Sequence, residues 1–178
     1  FDGVPVTADV AMPYLYLSEI DISDFDTSCH LLPPLRTVED RQQLRDALQQ
    51  GTFTAVCSDH QPHEADAKLG PFPATEPGIS GLDSLLSLGL RLVDEHALEL
   101  PALIQRLTAG PAGILGLPYG NLAVGMSADV CIFNPSDSWQ LDSSTMRSHG
   151  KNTPFAGWEM KGRVTHTLLA GKQVYTLN

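Results

Sequence analysis

The apolar positions of the chain fall into alternating, helical and turn-broken stretches. Residues 4–10, VPVTADV, alternate loosely and are rich in β-branched side chains, which predicts a strand. A loop rich in Asp and Ser follows and ends at LLPPLR, where Pro33 and Pro34 forbid a helix. TVEDRQQLRDALQQG then predicts a helix with both ends marked. Thr37 is a suitable N-cap, Glu39 and Asp40 stand in the first turn, and Gly51 is the stop. Leu44, Ala47 and Leu48 supply its buried stripe. FTAVCS, residues 53–58, is a short run apolar on both faces, as expected of a strand inside a parallel sheet.

After a long loop, GLDSLLSLGLRLVDEHAL places Leu82, Leu85, Leu86, Leu90 and Val93 on a helical stripe. LPALIQRLTAG predicts another helix, with Pro101 suited to the first turn and Gly110 near the end. Strand, helix, strand, loop, helix, helix is an α/β order with parallel strands joined by crossovers. Beyond residue 117 the texture becomes β-rich. Ala128–Phe133 predicts a strand, and GRVTHTLLAGKQVYTLN a terminal hairpin turning at Ala170 and Gly171.

Charge and composition narrow the partners. The 178 residues carry 21 acidic against 11 basic side chains, which argues against nucleic acid and anionic membranes. No apolar run is long enough to span a bilayer, and no signal-like segment opens the chain. Cys29, Cys57 and Cys131 are odd in number and widely spaced, which fits a reducing cytoplasm. A start at Phe1 is consistent with a processed product or a piece of a longer protein.

Chemistry concentrates in CSDHQPHEADAKLGPF, residues 57–72. Asp59, His60 and His63 follow a strand directly, at the end where parallel α/β folds gather their functional groups. A carboxylate there can ligate a divalent metal and take a proton from metal-bound water. The spacing alone supports equally a turn capped by Asp59 with solvated histidines. FPATEPGISG, residues 72–81, is dense in Pro and Gly. Its backbone could approach a small polar ligand, or it could be a rigid connection. For His30, His96, His149 and His166 a structural role is the better reading.

Taken in order, SDHQPHEADAKLGPF and EPGISGLDS resemble the eighth-strand region of the long-chain dihydroorotases of the amidohydrolase superfamily. VTADV, PPLRTVEDRQQLRDALQQG, LTAGPAGILGL, GNLAVGMSADVCIFNP and KNTPFAGWEMKGRVTHTLLAGKQVY extend the resemblance over essentially the whole chain. It implies an α/β fold: the C-terminal part of a (β/α)8 barrel, strands seven and eight, at residues 1–116, then part of a small β-sandwich at 117–178. It also implies zinc and the reversible hydrolysis of dihydroorotate to carbamoyl aspartate in pyrimidine biosynthesis. By that resemblance Asp59 is a metal ligand and the proton shuttle. His63 holds the substrate carboxylate, the backbone at Pro77 and Gly78 binds the ring, and His60 supports the loop.

Two departures bear on activity. Leu32 stands before PPLR where the active enzymes have Asn, and MPYL, Met12 to Leu15, stands where they have PHHL. Both resemble the degenerate homologues that form a non-catalytic subunit with aspartate carbamoyltransferase, although Asp59 is kept. A third reading is an amidohydrolase acting on hydantoins or dihydropyrimidines. A barrel of this type needs roughly 250 residues, and the family's H-x-H, bridging carboxylate and two further histidines are absent. The 178 residues alone are therefore expected to be inactive, and to be stable only with further sequence, a partner or as a homo-oligomer.

Overall fold

The structure, a computed structural model, describes residues 4–177. It is a mixed α/β arrangement with two small sheets. Strand β1 (Asp9–Ala11) lies parallel to β2 (Ala55–Cys57), with Asp9 beside Ala55 and Ala11 beside Cys57. Helix α1 (Val38–Gln49) crosses between them. Helices α2 (Leu85–Asp94), α3 (Leu100–Leu107) and α4 (Ala109–Ile114) follow. The chain ends in an antiparallel sheet ordered β3 (Val130–Gln140), β4 (Glu159–Leu169), β5 (Lys172–Thr176).

The ends of α1 have the physical origin its sequence suggests. Thr37 Oγ1 accepts from the Asp40 amide at 3.1 Å, and the Asp40 carboxylate accepts from the Thr37 amide at 3.2 Å. This reciprocal box satisfies two amides that the first turn leaves unpaired. At the far end Gly51 takes φ +85°, a left-handed value that suits glycine. Arg106 of α3 donates to the Leu48 carbonyl at 3.0 Å and so ties the two helices.

Four expectations need correction. The first strand is shorter than residues 4–10: only Asp9 to Ala11 pair, because β2 is itself three residues long. On α2 the buried leucines are Leu88, Leu90 and Leu92, whereas Leu82 precedes the helix and is 57% exposed. Gly110 lies inside α4 instead of ending α3, since Thr108 (φ −130°, ψ −84°) breaks the helix first. Strand β3 runs past Phe133 to Gln140 and through Pro135. It is an outer strand, and its register shifts between Asn134 and Ser138, so the missing amide costs no regular ladder bond. The terminal hairpin turns at Ala170 and Gly171 as expected, both with positive φ.

One core joins these elements. Met12, Leu15, Leu48, Ile79, Leu88, Leu92 and Leu103 are almost fully buried, and Leu141, Phe155 and Met160 from the β-rich tail pack into the same cluster. Each such side chain contributes about 1.5–3 kcal/mol by leaving water. A Cβ on Gly89 would stand 2.8 Å from Leu103, so a small residue there lets α2 and α3 approach. Polar ties are buried with the core. Tyr16 donates to the Leu88 carbonyl at 2.7 Å, and Ser87 donates from α2 to the Gly162 carbonyl of β4 at 3.0 Å.

Candidate functional site

β2 delivers the chain to Asp59, which takes φ +45°. Asp is one of the few residues other than glycine that visits this region readily. The reversal lets the strand direction resume one residue later. His60 bridges Ile79 in parallel, and Gln61 donates its amide to the Ile79 carbonyl at 2.8 Å. The loop after β2 and the Pro/Gly-rich loop before α2 therefore lie side by side.

The two histidines of the loop face different partners. His60 Nδ1 accepts from the amides of Gly81 (3.1 Å) and Leu82 (3.3 Å). That nitrogen is thus unprotonated and occupied, and His60 supports the loop. His63 Nε2 lies 2.9 Å from the Pro77 carbonyl, which can only accept. The ring therefore carries its proton on Nε2 and leaves Nδ1 open. Asp59 receives a hydrogen bond from Gln61 Nε2 at 3.1 Å.

Glycines set the fit of these loops. Gly78 has φ +130°, and a Cβ there would lie 2.5 Å from the Gln61 Cβ. A Cβ on Gly81 would lie 2.5 Å from the Ser58 carbonyl oxygen. Further support comes from His30, whose carbonyl accepts the Gly78 amide at 2.8 Å. Its ring stacks on Phe72 with centroids 4.7 Å apart, and its Nδ1 lies 2.9 Å from Thr75 Oγ1. Because that hydroxyl already donates to the Phe72 carbonyl, Nδ1 of His30 is the protonated nitrogen. The structural role expected for His30 is the one it takes.

A third segment closes the arrangement. Asn152, in the tail, accepts from the His63 amide at 2.7 Å and donates to the carbonyls of Gln61 and Gly78, both at 3.0 Å. The sequence offered one signal for it, the KNTPF motif, but no charge or spacing that assigned it a role. Beside these loops lies an open cleft of about 350 Å³ lined by Ser28, His63, Glu64, Lys68, Lys151 and Asn152, among others.

At the carboxyl ends of β1 and β2 the electrostatics are acidic. Burial first, then the charge of Asp59, pushes the Tyr14 hydroxyl up to about 12, and it donates to the Pro33 carbonyl at 2.6 Å. Burial and the hydrogen bond to Asp9 push the Cys57 thiol up to about 11. Tyr14 and Cys57 therefore stay protonated at neutral pH beside Asp59. Leu32 is 62% exposed and makes no part of the core. Among the described residues no three His, Cys, Asp or Glu side chains converge on a common point. His60 Nδ1 and His63 Nε2 are committed to backbone partners, and among the described residues the remaining ring nitrogens do not converge with Asp59 on one point, where a catalytic zinc needs three protein ligands. On its own residues the site does not fit a metal.

Comparison with known proteins adds the family. The amidohydrolase family model matches residues 15–174. A dihydroorotase-like protein of Pseudomonas aeruginosa is 49% identical over 169 residues, 95% of this chain and 40% of that protein. A dihydroorotase of Syntrophus aciditrophicus is 43% identical over 173 residues, 97% of this chain and 41% of that protein. Among solved structures, the L-hydantoinase (dihydropyrimidinase) from Arthrobacter aurescens superposes with a TM-score of 0.90 at 26% identity, over 99% of this chain and 42% of that one. The chain spans about two fifths of the length of the curated relatives it matches.

Proposed function

Because the chain belongs to the amidohydrolase family, we propose that it forms one side of a cyclic-amide hydrolase site of the dihydroorotase type. In this reading residues 1–116 are strands seven and eight of a (β/α)8 barrel with their helices, and residues 117–178 belong to a β-sandwich. The observation that carries it is the tie between His63 Nε2 and the Pro77 carbonyl, which joins the loop bearing Asp59 and His63 to the glycine-containing loop at Pro77 and Gly78.

Hydrolysis of a cyclic amide adds water to the carbonyl carbon, breaks the C–N bond and delivers a proton to the departing nitrogen. A carboxylate within reach of both positions can carry that proton, and Asp59 is the group assigned to it. His63 would pair with a substrate carboxylate such as that of dihydroorotate as an imidazolium, Nδ1–H donating to the carboxylate while Nε2–H stays on the Pro77 carbonyl, and the Pro77–Gly78 backbone would pair with the ring amide. Zinc belongs to this reading as the metal of the whole protein, with Asp59 as one ligand and the remaining ligands outside the 178 residues. The reading places the protein in the cytoplasm, as a homo-oligomer acting on a small molecule. No helix among the described residues is long and apolar enough to cross a membrane.

Dihydroorotate turnover by the full-length protein, supplied with zinc, tests the reading. Activity lost in Asp59→Asn is the expected result, and a folded, zinc-loaded protein without turnover overturns it. Hydantoin and dihydrouracil in the same assay test the hydantoinase-like alternative, which the superposition on hydantoinases favours. A second reading, a non-catalytic partner of aspartate carbamoyltransferase, is favoured by Tyr14 beside Asp59 and by exposed Leu32. Co-purification with that enzyme in the absence of turnover would select it.

A further inference from the structure

We propose that Asn152 is a positioning residue, which locks the two site loops in register and aims the ring of His63. The inference rests on the reading above, that Asp59, His63 and the Pro77–Gly78 loop face substrate.

One residue of the tail makes four bonds to two loops. The side-chain oxygen accepts from the His63 amide at 2.7 Å, and the two N–H groups of the amide nitrogen go to Gln61 and Gly78 carbonyls at 3.0 Å each. The Asn152 main-chain carbonyl accepts from the Ser80 amide at 2.8 Å. The amide orientation is fixed by its partners, since a flipped group would set N–H against N–H and oxygen against two oxygens. Gly150 shows independently how closely this segment is applied to the loop. A Cβ there would lie 2.5 Å from the His63 nitrogen and 2.7 Å from Pro62 Cβ.

The consequence reaches the His63 ring. Its backbone is held by Asn152 on one side, and its Nε2 by the Pro77 carbonyl on the other. Pro77 in turn precedes Gly78, whose carbonyl Asn152 holds. The distance between the ring and its acceptor is thus fixed by a side chain that touches neither. Loss of Asn152 frees both loops, and the ring loses the fixed acceptor that selects its Nε2–H tautomer.

The two obvious variants separate the parts of this device. Asn152→Asp keeps an acceptor for the His63 amide and turns both donor bonds into repulsion between oxygens. Asn152→Ala removes all three side-chain bonds. Gln140→Ala is the control, because Gln140 also donates to a main-chain carbonyl of the tail, that of Gly157 at 3.1 Å, away from the site.

The experiment uses the full chain with ¹⁵N-labelled histidine and no ligand, the His63 signals being assigned with His63→Gln. Ring ¹⁵N shifts report the tautomer, and hydrogen exchange reports the His63 amide. The wild-type protein is expected to show the Nε2–H form and a slow amide. In Asn152→Ala the ring becomes a tautomer mixture and the amide exchanges at least tenfold faster. In Asn152→Asp the ring is released while the amide stays slow. Wild-type ring signals in Asn152→Asp overturn the proposal, and so do the same ring changes in Gln140→Ala. An Asn152→Asp protein that does not fold also overturns it, since Asn152 would then determine the fold. Dihydroorotate that neither shifts the wild-type ring signals nor turns over would sink the substrate reading alone, because the clamp is judged without ligand.

Discussion

The ring nitrogen Nε2 of His63 and the carbonyl oxygen of Pro77 stand 2.9 Å apart, and this pair joins the loop after β2 to the loop before α2. Replacing His63 by Ala leaves the Pro77 carbonyl to water and removes one part-buried bond. A net loss of about 1 kcal/mol is expected in urea unfolding. Limited proteolysis is the sharper measurement, with new cleavage expected between residues 64 and 76. An unchanged digestion pattern would remove the pair from the account of loop order.

Gly78→Ala should cost more. The residue has φ +130°, and the added methyl group would meet the Gln61 side chain at 2.5 and 2.8 Å. Strain and overpacking together are expected to cost about 2–4 kcal/mol. Gly70→Ala is the comparison, because Gly70 has φ +116° but open space around its Cβ direction. Equal losses in the two variants would assign the whole effect to backbone conformation and none to the close approach.

His30 predicts a pH dependence. Burial, then the nearby Lys68, lowers its pKa below the ordinary histidine value near 6.5, against smaller opposing effects of the hydrogen bond with Thr75 and of Glu76. The unfolded chain therefore binds a proton more readily than the folded one between the two pKa values. Stability from this residue is fully present above about 6.5 and is lost as pH falls toward the folded value. The urea midpoint should drop from pH 7.5 to pH 5.5, and drop less in His30→Gln. An equal drop in both proteins would place the effect elsewhere.

Thiol labelling should discriminate the three cysteines. Cys131 is exposed, whereas Cys29 is buried with its thiol pushed up to about 12 and Cys57 is held up near 11, both chiefly by burial. Burial raises the Cys131 thiol as well, so exposure, not thiolate fraction, is what sets it apart. Mass spectrometry after a short exposure to iodoacetamide should find Cys131 modified first. Prompt labelling of Cys57 in the folded protein would contradict its placement beside Asp9.

The signals that act over a few residues of the chain match the structure. Thr37 and Asp40 announce the start of α1, Gly51 its end, and Ala170–Gly171 the hairpin. Asp59 and His63 were legible as site candidates from their place after a strand. Their partners were not, since pairing His63 with Pro77 and Asn152 depends on packing between segments far apart in sequence. The length of β3 was hidden by Pro135, which local rules assign to a turn and which an outer strand tolerates at an irregularity. Leu82 misled for a related reason. Helical spacing identifies a stripe, but the helix begins at Leu85, so the first residue of the stripe lies outside it.

Asn152 stands 89 positions beyond His63 and 91 beyond Gln61. The segment from Cys57 to Phe72 is therefore not a portable unit. Excised as a peptide, or moved onto another parallel sheet, it would keep Asp59 and both histidines yet lose the acceptor that fixes the His63 main chain. A designer transplanting the loop would have to carry a remote asparagine with it. Conversely, the tail could be exchanged among relatives without harm only where the donor supplies the same amide at the same place.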